Sequence, residues 1–491
     1  MLMLDRKVYD ELMEWKGRKH RCLLVKGQRQ VGKTFIIRQF ANDQYRHFVE
    51  VNLFSNKAAH EAFESDLDVD TIISRLSIIL DKTIVPEDTL LFFDEIQDCP
   101  KARSSLKSFS EDGRYDVIAS GSLLGIEDSR LYKKRYEKKG ELPPLLPVGY
   151  EEHITMHGLD FEEFLWALGY DRTMTDRIRS EISGRRPLGD AMVNGLMSRF
   201  REFMSVGGMP RCVDDYIVRR NPKDTEKSMS AIIDTIVGDI NRYNDEKEST
   251  KTLACFNSIK NQLADTNKRF MLSRIEGGND RKVNVCMDYY RENLLWIMFS
   301  GIGNLCFSLN QPSKPLEGNV NTDVFKVYLS DTGMLTFMYG NPARLAIMRN
   351  DDYNQGSLIE NVVAECIMKS GMKPRYYRKT NGKGQMELDF VLELGQDLTV
   401  LEVKSGKSRN AASLRKVGDY FRIDRRILLE DGDIGVDEDG VEHYPLFCAA
   451  FLDELVDPGY RAIVEGDGPW IDTDDGGLKD LLMSKGNDGS S

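Results

Sequence analysis

The hydrophobic pattern of residues 1–150 alternates short apolar runs with stretches of helical spacing. The runs that have the length of strands lie at 21–25, 48–52, 89–93 and 116–120. The last two are almost uninterrupted hydrophobic residues, which is typical of parallel strands buried on both faces. A helix is predicted over 34–40, directly after the first run. Strands that alternate with helices predict a doubly wound α/β core.

The pattern changes after this core and changes again near residue 245. From 151 to 245 the apolar residues recur at helical spacing, which predicts a helical lid packed on the core. Residues 246–335 contain two amphipathic helices, a third helix over 288–299 and then an apolar hairpin. That order of elements is typical of a winged-helix segment.

A third pattern follows the hairpin. A helix over 357–369 precedes two strands of alternating polarity, 386–392 and 398–403. We therefore interpret residues 336–463 as a separate small α/β domain. Residues 464–491 are rich in aspartate and glycine, and this composition predicts a disordered tail.

Size and composition exclude several classes of protein. A chain of 491 residues with 41% hydrophobic and 30% charged residues is that of a globular protein with more than one core. The net charge of -12 means that any contact with DNA needs local basic surface. The eight cysteines lie singly and no signal peptide is recognised, which favours a cytoplasmic location. The longest uncharged apolar stretch, 294–307, is shorter than the roughly 20 residues that span a bilayer, so we expect a buried helix and no membrane contact.

A phosphate-binding motif follows the first predicted strand. Its residues are Gly27, Gln28, Arg29, Gln30, Val31, Gly32, Lys33 and Thr34. The spacing Gly-x4-Gly-Lys-Thr between a strand and a helix is that of a P-loop, in which backbone N–H groups and the helix N-terminus surround a phosphate. Lys33 is expected to reach the β- and γ-phosphates, and Thr34 to offer its hydroxyl to Mg²⁺. ATP and Mg²⁺ are therefore the predicted cofactors.

Two acids, Asp94 and Glu95, end the strand predicted at 89–93. This is the pattern in which the first acid binds Mg²⁺ and the second activates the attacking water, so Glu95 is a predicted catalytic residue together with Lys33. Another predicted strand ends with Ser120 and Ser122, which are candidates for a polar contact to the γ-phosphate. Both serines are also ordinary residues for a turn at a strand end.

These motifs resemble those of prokaryotic AAA-type P-loop ATPases that carry a C-terminal DUF4143 region. Further segments that share the resemblance lie at 119–125, 159–165, 207–210 and 325–333. The resemblance implies an AAA core, a winged-helix segment and a nuclease-like C-terminal fold. It also implies a homo-oligomer, because AAA sites are completed by an arginine of a neighbouring subunit. The basic segment 132–139 departs from the family pattern, and a DNA contact and a solvated helix are both open for it.

Four charged residues of the last domain resemble the site of the PD-(D/E)xK nuclease fold. Glu360 lies on the predicted helix, Asp389 on one strand, and Glu402 and Lys404 on the next, with both of their side chains on one face. Asp389 and Glu402 are expected to hold Mg²⁺, Lys404 to position or activate water, and Glu360 to assist. A nuclease fold that has lost catalysis and only binds is the alternative, because Glu-x-Lys also occurs by chance.

The sequence thus predicts an oligomeric AAA-type protein that hydrolyses ATP with Mg²⁺ and engages duplex or branched DNA. The expected DNA contacts in the winged-helix segment are Lys268, Arg269 and Arg274. Two alternatives stay open. One is an ATP-dependent DNA nuclease, and the other is a nucleotide switch whose C-terminal domain only binds a partner.

Overall fold

The structure of the protein is a computed structural model. The residues that it describes are 3–18, 21–64, 67–122, 149–275, 287–351, 355–382, 384–404, 412–456 and 460. The predicted basic segment 132–139 and the predicted acidic tail 464–491 lie outside these residues.

The first sheet is parallel, with the strand order β2-β3-β4-β1-β5. Its strands are β1 (Cys22–Gly27), β2 (His47–Asn52), β3 (Thr89–Asp94), β4 (Asp116–Ser122) and β5 (Glu151–Met156). The four predicted strands are confirmed. β5 lies in the region predicted as a helical lid, so the prediction was wrong for residues 151–156. This strand pairs with β1 but buries only Ile154 and Met156, which is too weak an apolar pattern to be recognised.

Helices cover both faces of this sheet. They are α1 (Lys7–Gly17), α2 (Lys33–Gln44), α3 (Val69–Leu80) and α4 (Pro100–Asp112). Leu23, Val25 and Phe92 face α1 and α2, whereas Leu24 and Phe93 face α3 and α4. Because alternate residues of each strand enter a different core, the strands are hydrophobic along their length, as the sequence pattern indicated.

A run of helices follows β5. They are α5 (Phe161–Ala167), α6 (Arg172–Ser183), α7 (Asp190–Val206), α8 (Pro210–Arg219), α9 (Glu226–Tyr243), α10 (Glu246–Leu263) and α11 (Met287–Phe299). The helix predicted over 288–299 is confirmed by α11. The apolar stretch 294–307, which was expected to be a buried helix, is helical only as far as Phe299, because a strand begins at Gly303. Gly301, with φ of +74°, makes the turn between them in a conformation that glycine adopts without strain.

The second sheet is mixed and has the order β12-β13-β11-β10-β9-β8-β6-β7. Its strands are β6 (Gly303–Leu309), β7 (Val320–Leu329), β8 (Arg375–Lys379), β9 (Met386–Leu394), β10 (Asp397–Val403), β11 (Arg425–Glu430), β12 (Gly435–Val436) and β13 (Glu442–Pro445). The remaining α-helices are α12 (Thr332–Tyr339), α13 (Asn341–Arg349), α14 (Gly356–Lys369) and α15 (Ala412–Lys416), and a 3-10 segment, Leu446–Leu455, follows β13.

The hairpin of β6 and β7 is the element that the sequence suggested as a wing. β6 pairs in parallel with β8, so the hairpin extends the sheet of the C-terminal region. The prediction of a separate winged-helix segment is therefore not confirmed. An apolar hairpin has the same local pattern whether it stands alone or joins a larger sheet.

One continuous apolar core joins the two sheets through the helices between them. It runs from α1 and one face of the first sheet to one face of the second sheet. Phe161 of α5 illustrates the continuity, since its ring centroid lies 5.0 Å from that of Phe200 on α7 and 6.4 Å from that of Phe447 in the 3-10 segment. Across the described ranges, no helix combines the length and the apolar composition needed to span a bilayer.

Candidate functional site

The loop between β1 and α2 has a backbone that only certain residues accept. Gly32 has φ of +95° and Gln30 has φ of +66°. A Cβ atom on Gly27 would lie 2.2 Å from the carbonyl oxygen of Met156 in β5. Gly27 is therefore required by the close approach of the neighbouring strand, and Gly32 by its left-handed conformation. The loop ends at the N-terminus of α2, where unpaired N–H groups and the helix dipole favour an anion.

Lys33 is the first residue of α2 and is 8% exposed. Its Nζ donates to the carbonyl oxygens of Gly27 and Gln28, each at 2.9 Å. Burial lowers the pKa of Lys33 to about 8, against the opposing fields of Glu95 and Asp94. A buried ammonium with a lowered pKa gains strongly from a nearby anion, so this side chain suits a phosphate group.

Asp94, at the end of β3, collects donors from three other elements. Thr34 Oγ1 lies 3.3 and 3.4 Å from its carboxylate oxygens, and Asn52 Nδ2 donates to Asp94 Oδ2 at 3.0 Å. Ser120 donates to the same carboxylate. Burial raises the pKa of Asp94. A hydroxyl and a carboxylate placed side by side are the hard oxygen ligands that Mg²⁺ prefers, so Thr34 and Asp94 fit this ion.

Glu95 follows Asp94 in a left-handed backbone conformation, with φ of 54° and ψ of 48°. This conformation is destabilising for a residue other than glycine, and such strained residues are often found at functional sites. Gln97 Nε2 donates to Glu95 Oε2 at 2.5 Å. The turn and the amide together set the direction of the Glu95 carboxylate beside Asp94.

The two candidate serines occupy different places. Ser120 is engaged with Asp94, whereas Ser122 pairs in strand register with Gly27 and lines a cavity together with the P-loop residues Gln28 and Arg29. Their proposed contact to a γ-phosphate stays a prediction. Asn52 and Gln97 were not predicted as site residues from the sequence. A polar residue at the carboxyl end of β2 was the available signal for Asn52, which lies opposite Asp94 in register.

The second candidate cluster surrounds Glu360 of α14. Lys326 Nζ lies 2.9 Å from Glu360 Oε1, and Lys268 and Tyr328 also contact this carboxylate. Burial would raise the pKa of Glu360, but Lys326 and Lys268 outweigh it and lower the pKa to about 2. Glu360 is therefore ionised and engaged by two ammonium groups.

Asp389 and Glu402 form the other part of this cluster. Asp389 Oδ2 accepts from the Val403 N–H at 3.0 Å, and Lys404 Nζ donates to Glu402 Oε1 at 2.6 Å. Burial and the charge of Glu360 raise the pKa of Asp389, and burial and the charge of Asp389 raise the pKa of Glu402 to about 7. Glu402 Oε2 is buried and has no hydrogen-bond partner.

The structure brings the four predicted residues together and adds lysines that the sequence did not assign. Lys326 lies in the segment 325–333 of the family resemblance but was not predicted as a site residue. Lys268 was expected on a DNA-binding surface but contacts Glu360 instead. Its segment lies beside β7, where Phe270 N donates to Phe325 O. Of the other two expected DNA contacts, Arg274 pairs with Asp265 and Arg269 is exposed. Among the residues described, no three His, Cys, Asp or Glu side chains are grouped as metal ligands.

Three parts of the chain match known domain families. Residues 19–165 match an AAA domain, residues 355–448 match a domain of unknown function, DUF4143, and residues 197–345 match another, DUF8612. The first match covers the P-loop, Asp94 and Glu95. These matches confirm the predicted resemblance to AAA-type P-loop ATPases with a C-terminal DUF4143 region. No curated protein matches the chain.

Two solved structures resemble the chain. A Walker-type ATPase of Pyrococcus abyssi has 13% identity and a TM-score of 0.41, over 69% of this chain and 96% of the other. A structure of two coordinating Pif1 helicases, which describes DNA unwinding at forked duplex DNA, has 13% identity and a TM-score of 0.22, over 37% of this chain and 52% of the other. At these TM-scores, neither likeness supports a conclusion about function.

Proposed function

We propose that this protein hydrolyses ATP with Mg²⁺. The observation that carries the proposal is the convergence of Lys33, Thr34, Asp94 and Glu95 at one edge of the first sheet. Lys33 begins α2 and donates to the carbonyl oxygen of Gly27 in the preceding strand, the Thr34 hydroxyl is 3.3 Å from Asp94, and Glu95 follows Asp94 directly. The match of residues 19–165 to an AAA domain supports the same conclusion.

Each of these side chains has a separate task. Lys33 holds the β- and γ-phosphates, and Thr34 and Asp94 bind the metal. Mg²⁺ neutralises phosphate charge when it is bound. Glu95 orients the attacking water and accepts its proton, and Gln97, whose amide lies 2.5 Å from Glu95, maintains the direction of that carboxylate.

The proposal is tested by measuring phosphate release from ATP with the purified full chain. We expect turnover in millimolar Mg²⁺ and none when EDTA removes divalent cations, because Thr34 and Asp94 then have no ion to present to the phosphates. A chain that binds ATP and Mg²⁺ without releasing phosphate would contradict hydrolysis and favour the nucleotide switch.

A second candidate function is metal-dependent cleavage of DNA by the C-terminal region. The unpartnered, buried Glu402 Oε2 favours a cation at this cluster. The charges argue against it, because Glu360, Asp389 and Glu402 are opposed by three ammonium groups. These belong to Lys268, Lys326 and Lys404. Because these ammonium groups already pair with the carboxylates, a nucleotide-switched protein with an inactive, partner-binding nuclease-like region is the better supported alternative.

Melting temperatures at two pH values distinguish these possibilities. The pKa of Glu402 is about 7 in the folded chain, above its ordinary value, so the folded state binds this proton more tightly than the unfolded state. The contribution of Glu402 to stability therefore decreases as the pH rises towards 7 and stays unfavourable above it. We expect Glu402→Gln to melt at a higher temperature than the parent at pH 8, with little difference at pH 5, and Mg²⁺ to leave both unchanged.

The control is Glu438→Gln, at an exposed position of the same region, which should melt like the parent at both pH values. A metal site would give a different result. Mg²⁺ would then raise the melting temperature of the parent at pH 8 by mass action, but not that of Asp389→Asn. Mg²⁺-dependent nicking of plasmid DNA by the parent, absent in Asp389→Asn, would establish the nuclease.

Homo-oligomeric assembly and binding of duplex or branched DNA stay predictions from the family resemblance. The engagement of Lys268 by Glu360 and of Arg274 by Asp265 reduces the basic surface that was expected for DNA.

A further inference from the structure

Two residues at the tip of the P-loop are held by a helix outside the matched AAA domain. Arg29 Nε lies 2.9 Å from Asp239 Oδ2, and Gln30 Nε2 donates to Thr235 Oγ1 at 2.8 Å. Thr235 and Asp239 are four residues apart on α9, so they lie on one face of this helix. The AAA match ends at residue 165, long before α9 begins.

A third contact reaches the loop from the second sheet. Ser330, directly after β7, has its hydroxyl 3.4 Å from Gln28 Oε1 and 3.0 Å from the carbonyl oxygen of Ile302. The next residue, Asp331, accepts from Gly208 N at 2.8 Å and from Met334 N at 2.9 Å. The position of Ser330 is therefore set by well-bonded neighbours, and the three residues after Gly27 each meet a side chain from outside the AAA domain.

The loop needs this support for a conformational reason. Gln30 has a left-handed backbone, with φ of +66°, which a residue with a Cβ adopts only when its surroundings favour it. Its side chain is bonded to Thr235, which itself donates to the carbonyl oxygen of Ala231 at 2.8 Å. The hydroxyl of Thr235 thus links the side chain of Gln30, whose backbone conformation is unfavourable, to the backbone of α9.

The loop also needs support for an electrostatic reason. Arg29 and Lys33 are both cationic residues of the phosphate-binding loop, and their charges repel each other. The ion pair with Asp239 holds the Arg29 guanidinium against this repulsion. Asp239 supplies the compensating charge: burial raises its pKa, whereas Arg29 and Arg242 lower it. The side chains of Arg29 and Asp239 are 30% and 17% exposed, so solvent screens this pair only partly.

We propose that Asp239 and Thr235 of α9 are positioning residues of the nucleotide site, which hold Arg29 and Gln30 so that the P-loop is ready to receive phosphates. The inference rests on the proposed ATP hydrolysis. Its consequence is that the site is completed by α9 of the same chain and not by the AAA domain alone.

The test compares Asp239→Asn with Asp234→Asn, which changes an exposed acid on the same helix. We expect Asp239→Asn to lower kcat/KM for ATP about tenfold, within the losses of up to roughly 10²-fold that follow from misplaced groups, while the melting temperature stays near that of the parent. Asp234→Asn should behave like the parent. Loss of a negative charge would by itself favour an anionic ligand, so a gain in ATP affinity in Asp239→Asn would overturn the inference.

A double-mutant cycle shows whether Asp239 acts through Arg29. In an Arg29→Gln background, Asp239→Asn should cause no further loss of kcat/KM, because the guanidinium that it positions is gone. A full additional tenfold loss would contradict the proposal. Thr235→Ser, which keeps the hydroxyl, should retain the parent rate, whereas Thr235→Val should reduce it. Equal rates for these two variants would remove Thr235 from the assignment.

Calorimetric titration with ATP separates this inference from the proposed function. If the parent binds ATP but does not hydrolyse it, hydrolysis is refuted, and the positioning role still requires ATP to bind about tenfold more weakly to Asp239→Asn than to Asp234→Asn. Equal affinities for these two variants would refute the positioning role, whether or not the parent turns over ATP.

Discussion

Lys33→Ala is expected to reduce ATP turnover by at least about 10²-fold and to weaken ATP binding, since it removes the ammonium that holds the β- and γ-phosphates. The side chain is 8% exposed and lies 2.9 Å from the carbonyl oxygens of Gly27 and Gln28, so it is aimed into the loop. Burial lowers its pKa to about 8, which means that the folded chain bears a cost for keeping it charged. The melting temperature of Lys33→Ala should therefore not fall.

Phosphate release, ATP titration and thermal melting of the same preparation check this prediction. Lys107→Ala, which removes an exposed lysine of α4, is the matched control and should leave all three measurements unchanged. Turnover of Lys33→Ala within twofold of the parent would show that the nucleotide site lies elsewhere.

Glu95→Gln is expected to keep ATP binding and to slow hydrolysis by roughly 10²- to 10⁴-fold, which is the usual contribution of a general base. Glutamine has the shape of glutamate and can still accept the hydrogen bond from Gln97, so the left-handed turn at this position should persist. It cannot take a proton from water. The variant should therefore retain nucleotide, and the loss should appear in kcat and not in the affinity for ATP.

Single-turnover phosphate release and ATP titration measure the two effects separately. Glu111→Gln, at an exposed position of α4, serves as the control for loss of a carboxylate. Parent-like hydrolysis by Glu95→Gln would exclude Glu95 as the base. Loss of ATP binding in this variant would instead mean that the carboxylate supports the loop and has no separate chemical role.

The nucleotide site was predictable because its signals are local. Glycines, lysine and threonine at fixed spacing between a strand and a helix define the loop, and the apolar run before Asp94 defines a buried strand that ends in a carboxylate. The carboxyl ends of parallel strands meet at one edge of the sheet, so the motifs also implied that Lys33, Thr34 and Asp94 would come together. The helices and most strand positions followed from hydrophobic periodicity for the same local reason.

The membership of the remaining strands depended on long-range pairing. β5 joins the first sheet through β1, more than a hundred residues earlier, and β6 joins the second sheet through β8. The alternation of apolar and polar residues in a strand does not show which other strand it pairs with. The sequence therefore placed β5 in a helical lid and the β6–β7 hairpin in a wing, whereas each is part of one of the two sheets.

The ion pairs of buried charged residues also depended on contacts between distant parts of the chain. Lys268 and Lys326 reach Glu360 from segments 92 and 34 residues away, and Asp239 reaches Arg29 from α9. A sequence shows which side chains carry charge, but their neighbours depend on how the elements pack. The sequence by itself determined the phosphate loop, because its residues are consecutive in the chain. Only the tertiary structure decided that α9 contacts this loop and that Lys268 and Lys326 pair with Glu360, because these contacts depend on packing around a core shared by both sheets.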